Sequence, residues 1–209
     1  MTGGFDPALA GAATGLELAD GRRVPLPVRR WRAAAAGADH WMLDRCAGPT
    51  LDLGCGPGRL VAALRAAGVP ALGVDHSHRA VRLCRERGAP AVRGDLFARL
   101  PGEGGWRHAL LADGNIGIGG DPAVLLRRAA ALVAPGGSVL VETAGDGLWR
   151  GRARLLGIGA GGGGPWFPWA TVGLAALPAL ARSAGLRVAG ALHCGERGIA
   201  QLVRDAGHG

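Results

Sequence analysis

The sequence is short of several residue types, and each shortage narrows what the chain can be. Its 209 residues include no lysine and no tyrosine, six tryptophans, three phenylalanines and four cysteines. The cysteines, at positions 46, 55, 84 and 194, show neither C-x-x-C nor another metal-binding spacing. The pattern therefore predicts no disulfide framework and no metal site, and indicates reduced thiols in a cytoplasmic protein.

Long apolar runs are also missing. No stretch is long enough to span a bilayer, so we expect no membrane association. The N-terminus has no charged start followed by an apolar core, and we expect no signal peptide. A length of 209 residues suits one hydrophobic core and one main domain.

Positive charge is abundant, with a formal net charge of +8 and a pI near 11.2. Such a balance is typical of proteins with anionic partners, nucleic acid among them. The arginines are spread along the chain, however, and cluster only at residues 22–23 and 29–32. A small anionic substrate therefore explains the charge as well as a nucleic acid does.

The most informative stretch is Leu51-Asp-Leu-Gly-Cys-Gly-Pro-Gly-Arg-Leu60. It predicts a strand that ends in a glycine-rich turn and continues as a helix to Gly68. Glycines allow positive φ angles and close approach to a ligand, and the first turn of a helix offers free N–H groups at the same place. The spacing G-x-G-x-G differs from the dinucleotide fingerprint G-x-G-x-x-G.

Strands and helices alternate after this turn, which predicts a parallel α/β sheet. Ser77 and Asp121 are expected to cap helices, and Pro135-Gly136-Gly137 to end one. The predicted strands are Thr50–Leu53, Ala71–Val74, Pro90–Val92, Trp106–Leu111, Ser138–Val141, Leu186–His193 and Ile199–Arg204, and the predicted helices are Arg59–Ala67, Ser77–Arg87, Asp121 to about Ala134, and Thr171–Ala184 with Pro178 inside or at its start.

Residues 1–48 lie outside this alternation, and we interpret them as an N-terminal arm or lid on a domain of residues 49–209. Residues 1–21 show little periodicity. Residues 22–32 cannot form a helix interior around Pro25 and Pro27, and suit either a lid over a ligand or a surface strand. Residues 37–46 predict a short helix.

Three further segments follow strand ends in the same order as the glycine turn. Asp75 ends the second predicted strand, Asp95 the third, and Leu111-Ala-Asp113-Gly-Asn115 the fourth. With Asp52 before the glycines, the turn reads [DE]-x-G-x-G-x-G. From about Thr50 to the C-terminus, the sequence resembles the class I S-adenosylmethionine-dependent methyltransferases, a small bacterial type with unassigned acceptor.

This resemblance implies a fold, a cofactor and a site. The fold would be Rossmann-like and doubly wound, a mostly parallel seven-stranded sheet with a C-terminal antiparallel hairpin. The cofactor would be S-adenosylmethionine, with Asp75 accepting from the ribose hydroxyls and Asp95 from the adenine amino group. The full set of expected cofactor residues is Asp52, Gly54, Cys55, Gly56, Gly58, Asp75, His76, Asp95, Leu96 and Leu111.

Asp113 and Asn115 are the candidates for catalytic residues on the acceptor side, although each could instead hold the loop or the cofactor's amino group. Asp52 could likewise be a structural anchor. The aromatic segment Pro165–Trp169 suits an acceptor-pocket wall or a plain hydrophobic plug.

We expect a methyltransferase acting on a small molecule, and the sequence leaves monomer against homodimer open. A nucleic-acid methyltransferase is less favoured because Asp113-Gly-Asn-Ile116 lacks the prolines and aromatic residue of [NDS]-P-P-[YFW]. An NAD(P)-dependent Rossmann oxidoreductase is less favoured on glycine spacing. A non-enzymatic Rossmann-like module is the third alternative, which the intact glycines and acids oppose.

Overall fold

The computed structural model describes residues 4–157, 163–195 and 197–206. Residues 157–164 are too rich in glycine to predict regular structure, and most of them lie outside the described residues. The strands are β1 (Ala13–Leu18), β2 (Arg23–Pro25), β3 (Thr50–Leu53), β4 (Ala71–Asp75), β5 (Ala91–Arg93), β6 (Trp106–Leu111), β7 (Val133–Ala144), β8 (Leu148–Gly157), β9 (Phe167–Val172), β10 (Leu186–Cys194) and β11 (Arg197–Arg204). The helices are α1 (Asp6–Leu9), α2 (Val28–Arg32), α3 (Asp39–Leu43), α4 (Arg59–Ala66), α5 (His78–Glu86), α6 (Pro122–Leu132) and α7 (Leu177–Ser183), with 3-10 turns at Asn115–Gly117 and Leu174–Ala176.

The larger sheet has seven strands in the order β10-β11-β7-β6-β3-β4-β5. Strands β7, β6, β3, β4 and β5 are parallel, while β11 runs antiparallel to β7 and β10 antiparallel to β11. This order confirms the predicted doubly wound sheet with its C-terminal hairpin. The chain turns from β3 towards β4 and β5, then returns to β6 on the other side. Ligands of such sheets bind at the carboxyl ends of the strands where this reversal occurs.

Local sequence signals explain the helices that cover this sheet. The Ser77 hydroxyl accepts a hydrogen bond from the Ala80 amide at 3.0 Å and caps α5. The Asp121 carboxylate accepts from the Ala123 amide at 3.0 Å and caps α6, which carries a proline at its first position. Because helices cover both faces, most side chains of the central strands are apolar and buried, and Leu51 and Leu110 are fully buried.

A second sheet of four antiparallel strands, in the order β2-β1-β8-β9, was not predicted. Its first two strands come from residues expected to form an arm, and Leu16 of β1 faces Leu155 of β8. The pairing joins segments more than a hundred residues apart, and a local periodicity cannot reveal it. Two N-terminal strands therefore share a sheet with β8 and β9. The division of the chain at residues 48/49 stays a prediction.

Several predicted boundaries are wrong. The helix expected from Thr171 begins at Leu177, with Pro178 in its first turn, because residues 167–172 form β9. Helix α6 ends at Leu132, and β7 begins at Val133 rather than Ser138. The residues after Pro27 form the short helix α2, because a proline restricts the residues before it rather than those after it.

Within the described part of the chain, no helix is long and apolar enough to cross a membrane. No group of three or more histidine, cysteine, aspartate or glutamate side chains in those residues is arranged to hold a metal ion.

Candidate active site

The three glycines between β3 and α4 all have positive φ, +78° at Gly54, +51° at Gly56 and +79° at Gly58. A Cβ on Gly54 would lie 2.6 Å from the Asn115 Nδ2 atom, and one on Gly58 would collide with the Cys84 side chain. A Cβ on Gly56 would meet nothing within 4 Å. Protein therefore packs against the outer two glycines, while the backbone of Gly56 faces open space that a ligand can use.

Asp75 joins the end of β4 to this turn. Its Oδ2 accepts from the Gly56 amide at 3.1 Å, and its Oδ1 accepts from the Ser77 amide at 2.9 Å. Burial raises the pKa of Asp75, against the two backbone hydrogen bonds, which lower it. His76 is exposed, and its Nδ1 lies 3.7 Å from Asp75 Oδ1. The carboxylate predicted to bind ribose thus lies directly beside the open glycine.

Asp52 is the second-to-last residue of β3, and its carboxylate is buried, with 3% of the residue exposed. No hydrogen bond to its side chain is present among the described residues. Burial raises its pKa to about 7; Arg59 opposes this, and the Asp113 and Asp75 carboxylates add to it. A buried carboxylate in this state is stabilised by a proton or by a nearby cation.

Three arginines and three acids alternate around the end of β6 and form a closed ring of ion pairs, which we call the charge ring. Its order is Arg30, Asp113, Arg59, Asp39, Arg197, Glu142 and back to Arg30.

The charge ring carries no net formal charge, and two of its contacts involve both oxygens of a carboxylate. Arg59 Nη2 donates to both carboxylate oxygens of Asp113, at 2.9 and 2.8 Å. Arg197 donates from Nε and Nη2 to Glu142 at 2.8 and 3.0 Å. Burial alone would raise the pKa of Glu142, but the Arg197 and Arg30 guanidiniums lower it below its usual value.

The charge ring fastens one part of the chain over the strand ends. Arg30 belongs to α2 and Asp39 to α3, whereas Glu142 and Arg197 belong to β7 and β11. Residues 28–39, which we call the cover segment, are therefore bound across the carboxyl ends of the strands. Asp113 was the member of the charge ring predicted from the sequence, although Glu142 follows the apolar run at residues 139–141 and could have been found by the same signal as Asp75.

Both predicted catalytic residues already have protein partners. Asp113, in a left-handed conformation with φ +55°, is bound by Arg30 and Arg59, and its amide donates to Glu142 at 3.0 Å. The Asn115 side chain donates to the Leu53 and Gly54 carbonyls at 2.9 Å each. Asn115 thus holds the glycine turn, and Asp113 anchors the cover segment.

The other expected cofactor residues differ in exposure. Asp95 is exposed and accepts from the Phe97 amide at 3.0 Å. Leu96 and Leu111 are buried in the core, so Leu111 offers a ligand its backbone at most. A hydrogen bond with Cys84 and burial raise the pKa of Cys55, which indicates an unreactive thiol.

The aromatic segment contributes to a cluster of aromatic side chains that was not predicted from the sequence. Phe167 and Trp169 pack edge-on at 6.0 Å between ring centroids, and Phe5 lies 5.7 and 5.4 Å from them and 6.2 Å from Trp31. Trp166 is separate and lies under the Arg154 guanidinium at 4.8 Å. Phe5 and Trp31 come from the N-terminal residues, which places the cluster beside the cover segment.

Comparisons with known proteins agree with this geometry. Residues 50–137 match the family model described as "Methyltransferase domain", while no curated protein matches the sequence. A methyltransferase from Bacteroides fragilis, solved with S-adenosylhomocysteine, is 20% identical with a TM-score of 0.75, over 96% of this chain and 92% of that one.

Two further solved structures are similar over part of this chain. The O-methyltransferase NcsB1 of neocarzinostatin biosynthesis, solved with S-adenosylhomocysteine and 1,4-dihydroxy-2-naphthoic acid, is 25% identical with a TM-score of 0.57, over 75% of this chain and 49% of that one. The 1,6-didemethyltoxoflavin-N1-methyltransferase from Burkholderia thailandensis is 19% identical with a TM-score of 0.59, over 79% of this chain and 74% of that one.

The sheet order and the glycine turn are those of a Rossmann-like α/β domain, and residues 50–137 are similar to a methyltransferase domain. Two of the similar structures were solved with S-adenosylhomocysteine bound.

Proposed function

We propose that the protein transfers the methyl group of S-adenosylmethionine to a small-molecule acceptor. The observation that carries the proposal is the cover segment, which the charge ring binds across the end of β6 at Asp113. A polymer needs an open groove at this place, whereas a small molecule fits beneath a cover. Two similar structures support this, since they were solved with 1,4-dihydroxy-2-naphthoic acid and 1,6-didemethyltoxoflavin bound.

The residues around the glycine turn fit the cofactor. Gly56 leaves open space above its backbone, and Asp75 beside it offers two carboxylate oxygens for the ribose hydroxyls. Asp52, buried and without a partner among the described residues, suits the positive charge of the cofactor. When bound, S-adenosylmethionine supplies an electrophilic methyl group on a sulfonium whose departure leaves a neutral thioether.

On the acceptor side, the residues of this chain would align and desolvate the reacting atoms rather than take up a proton. The Asp113 carboxylate is bound by two guanidiniums, and Asn115 is bound to the turn. Both therefore act as positioning residues in this proposal. Alignment and exclusion of water can supply most of the rate of a displacement from a good leaving group.

Replacing Asp75 by alanine tests the cofactor site. Loss of a charged acceptor for the ribose hydroxyls is expected to weaken S-adenosylhomocysteine binding about 100-fold, or about 3 kcal/mol. Isothermal titration calorimetry measures this. Asp205→Ala, at an exposed carboxylate near Arg187, is the matched control and should bind normally. Unchanged affinity in the Asp75 variant would exclude its ribose role.

The small-molecule proposal is tested with the radioactive methyl donor. The protein is incubated with methyl-labelled S-adenosylmethionine and a cell extract, which is then divided by ultrafiltration into small molecules and polymers. We expect the label in the small-molecule fraction, and only with the enzyme present. Label in the polymer fraction that disappears on nuclease treatment would establish the nucleic-acid alternative instead.

A further inference from the structure

A cavity outside the glycine turn lies between the end of the cover segment and the exposed face of α4. Its volume is about 370 Å³, and its lining comprises Arg32, His40, Arg59, Arg87 and four alanines. The core-facing residues Leu60, Val61 and Leu64 of α4 do not contribute to it. The volume is within the range of small-molecule sites, about 300–1,000 Å³.

Arg32 and Arg87, two of the three arginines that line this cavity, bind backbone carbonyls rather than acids. Arg87 donates to the carbonyls of Ala33 and Arg32 at 2.8 and 2.7 Å, and Arg32 donates to the Leu9 carbonyl. Neither guanidinium has an ion pair within the described residues, in contrast to the arginines of the charge ring. Glu86, beside Arg87 in the sequence, lies near Arg82, and Asp39, beside His40, is buried and directed to Arg59 and Arg197.

Arg59, the third arginine of the lining, carries a buried donor without a partner among the described residues. Only 3% of its side chain is exposed, and its Nε is a buried donor without a hydrogen-bond partner among the described residues. A buried unpaired donor is costly, and a partner that supplies an acceptor removes the cost. Arg59 lines the cavity and also belongs to the charge ring.

We propose that this cavity binds the oxyanion group, a phosphate or a carboxylate, of a small molecule, at a site separate from that of the methyl donor. Guanidiniums bind such groups through charge-assisted, often bidentate hydrogen bonds. The alanines leave an apolar surface for the rest of the ligand. Because Arg32 and His40 come from the N-terminal residues and Arg59 and Arg87 from α4 and the end of α5, a bound anion joins the two and strengthens the attachment of the cover segment.

The test is calorimetric titration of the full chain with inorganic phosphate, pyrophosphate and citrate, each in the presence of saturating S-adenosylhomocysteine and against chloride of equal ionic strength. We expect saturable binding below about 10 mM for at least one of these anions. Comparing the affinities for phosphate and pyrophosphate with the affinity for citrate distinguishes a phosphate site from a carboxylate site.

Two variants locate the binding. Arg32→Gln and Arg87→Gln should each weaken the anion about tenfold or more, while Arg82→Gln, on the exposed face of α5 and paired with Glu86, should not. S-adenosylhomocysteine affinity, measured in every variant, reports intact folding. Absence of saturable binding, wild-type affinity in both cavity variants, or competition with S-adenosylhomocysteine would each overturn the proposal without affecting the assignment of methyl transfer.

Discussion

Replacing Asp52 by asparagine is expected to stabilise the cofactor-free protein at alkaline pH. The pKa of Asp52 is about 7 in the folded protein against 3.8 for the free side chain, mainly because of burial. The contribution of Asp52 to the free energy of unfolding is fully present below pH 3.8, where the carboxyl is neutral in both states. It is lost as the pH rises through about 7. At about pH 8 the wild type therefore bears an unfavourable buried charge, and the neutral amide should add about 2–4 kcal/mol.

The same substitution should weaken cofactor binding and remove its pH dependence. The positive charge of S-adenosylmethionine favours the ionised carboxylate, so the affinity of the wild type should rise as Asp52 ionises. The rise should be up to about tenfold per pH unit below the pKa that Asp52 has in the cofactor-free protein. Calorimetric titrations at about pH 6 and pH 8, with thermal unfolding at both, measure the two effects.

Asp205→Asn serves as the control, since the Asp205 carboxylate is exposed and its ion pair with Arg187 Nε, at 3.4 Å, is exposed too. It should change neither the unfolding temperature nor the affinity. If the wild type binds S-adenosylmethionine equally at both pH values, or if Asp52→Asn is less stable than the wild type at alkaline pH, Asp52 is a structural anchor and not the partner of the cofactor's charge.

The sequence was sufficient for the part of the site that depends on local order. A carboxylate at the end of a strand and glycines in the following turn are neighbours along the chain, and parallel strands bring their carboxyl ends to one edge. Asp52, Asp75 and the glycine turn could therefore be assembled before the structure was known. Gly54 and Gly58 show the limit of this reasoning, because side chains distant in sequence, Asn115 and Cys84, pack against them.

The charge ring and the second sheet depend on contacts that no local pattern contains. Arg30 and Glu142 are 112 positions apart in the sequence, and Arg197 and Asp39 are 158 positions apart, yet each pair is hydrogen-bonded. Each arginine by itself is typical of a solvated surface. Only the pairing of β1 with β8 and of β11 with β7 places them together, and these pairings depend on the tertiary fold rather than on periodicity.

Replacing Arg59 by methionine is expected to be the most destabilising change in the charge ring. Arg59 and Asp39 are 3% and 1% exposed, so both lie away from water. Methionine keeps much of the volume but leaves Asp39 with Arg197 alone and Asp113 with Arg30 alone. Removing one partner of a buried pair costs about 3–5 kcal/mol, which lowers the unfolding temperature by roughly 10 °C for a chain of this size.

Two further variants show whether the loss comes from the buried carboxylates. Arg82→Met breaks an exposed pair with Glu86, at 64% and 59% exposure, and should cost no more than about 0.5 kcal/mol. Asp113→Asn combined with Arg59→Met should recover part of the loss, since the unpaired charge is then removed. If Arg59→Met costs no more than Arg82→Met, the charge ring does not stabilise the fold, and the attachment of the cover segment must depend on the aromatic cluster of Phe5, Trp31, Phe167 and Trp169.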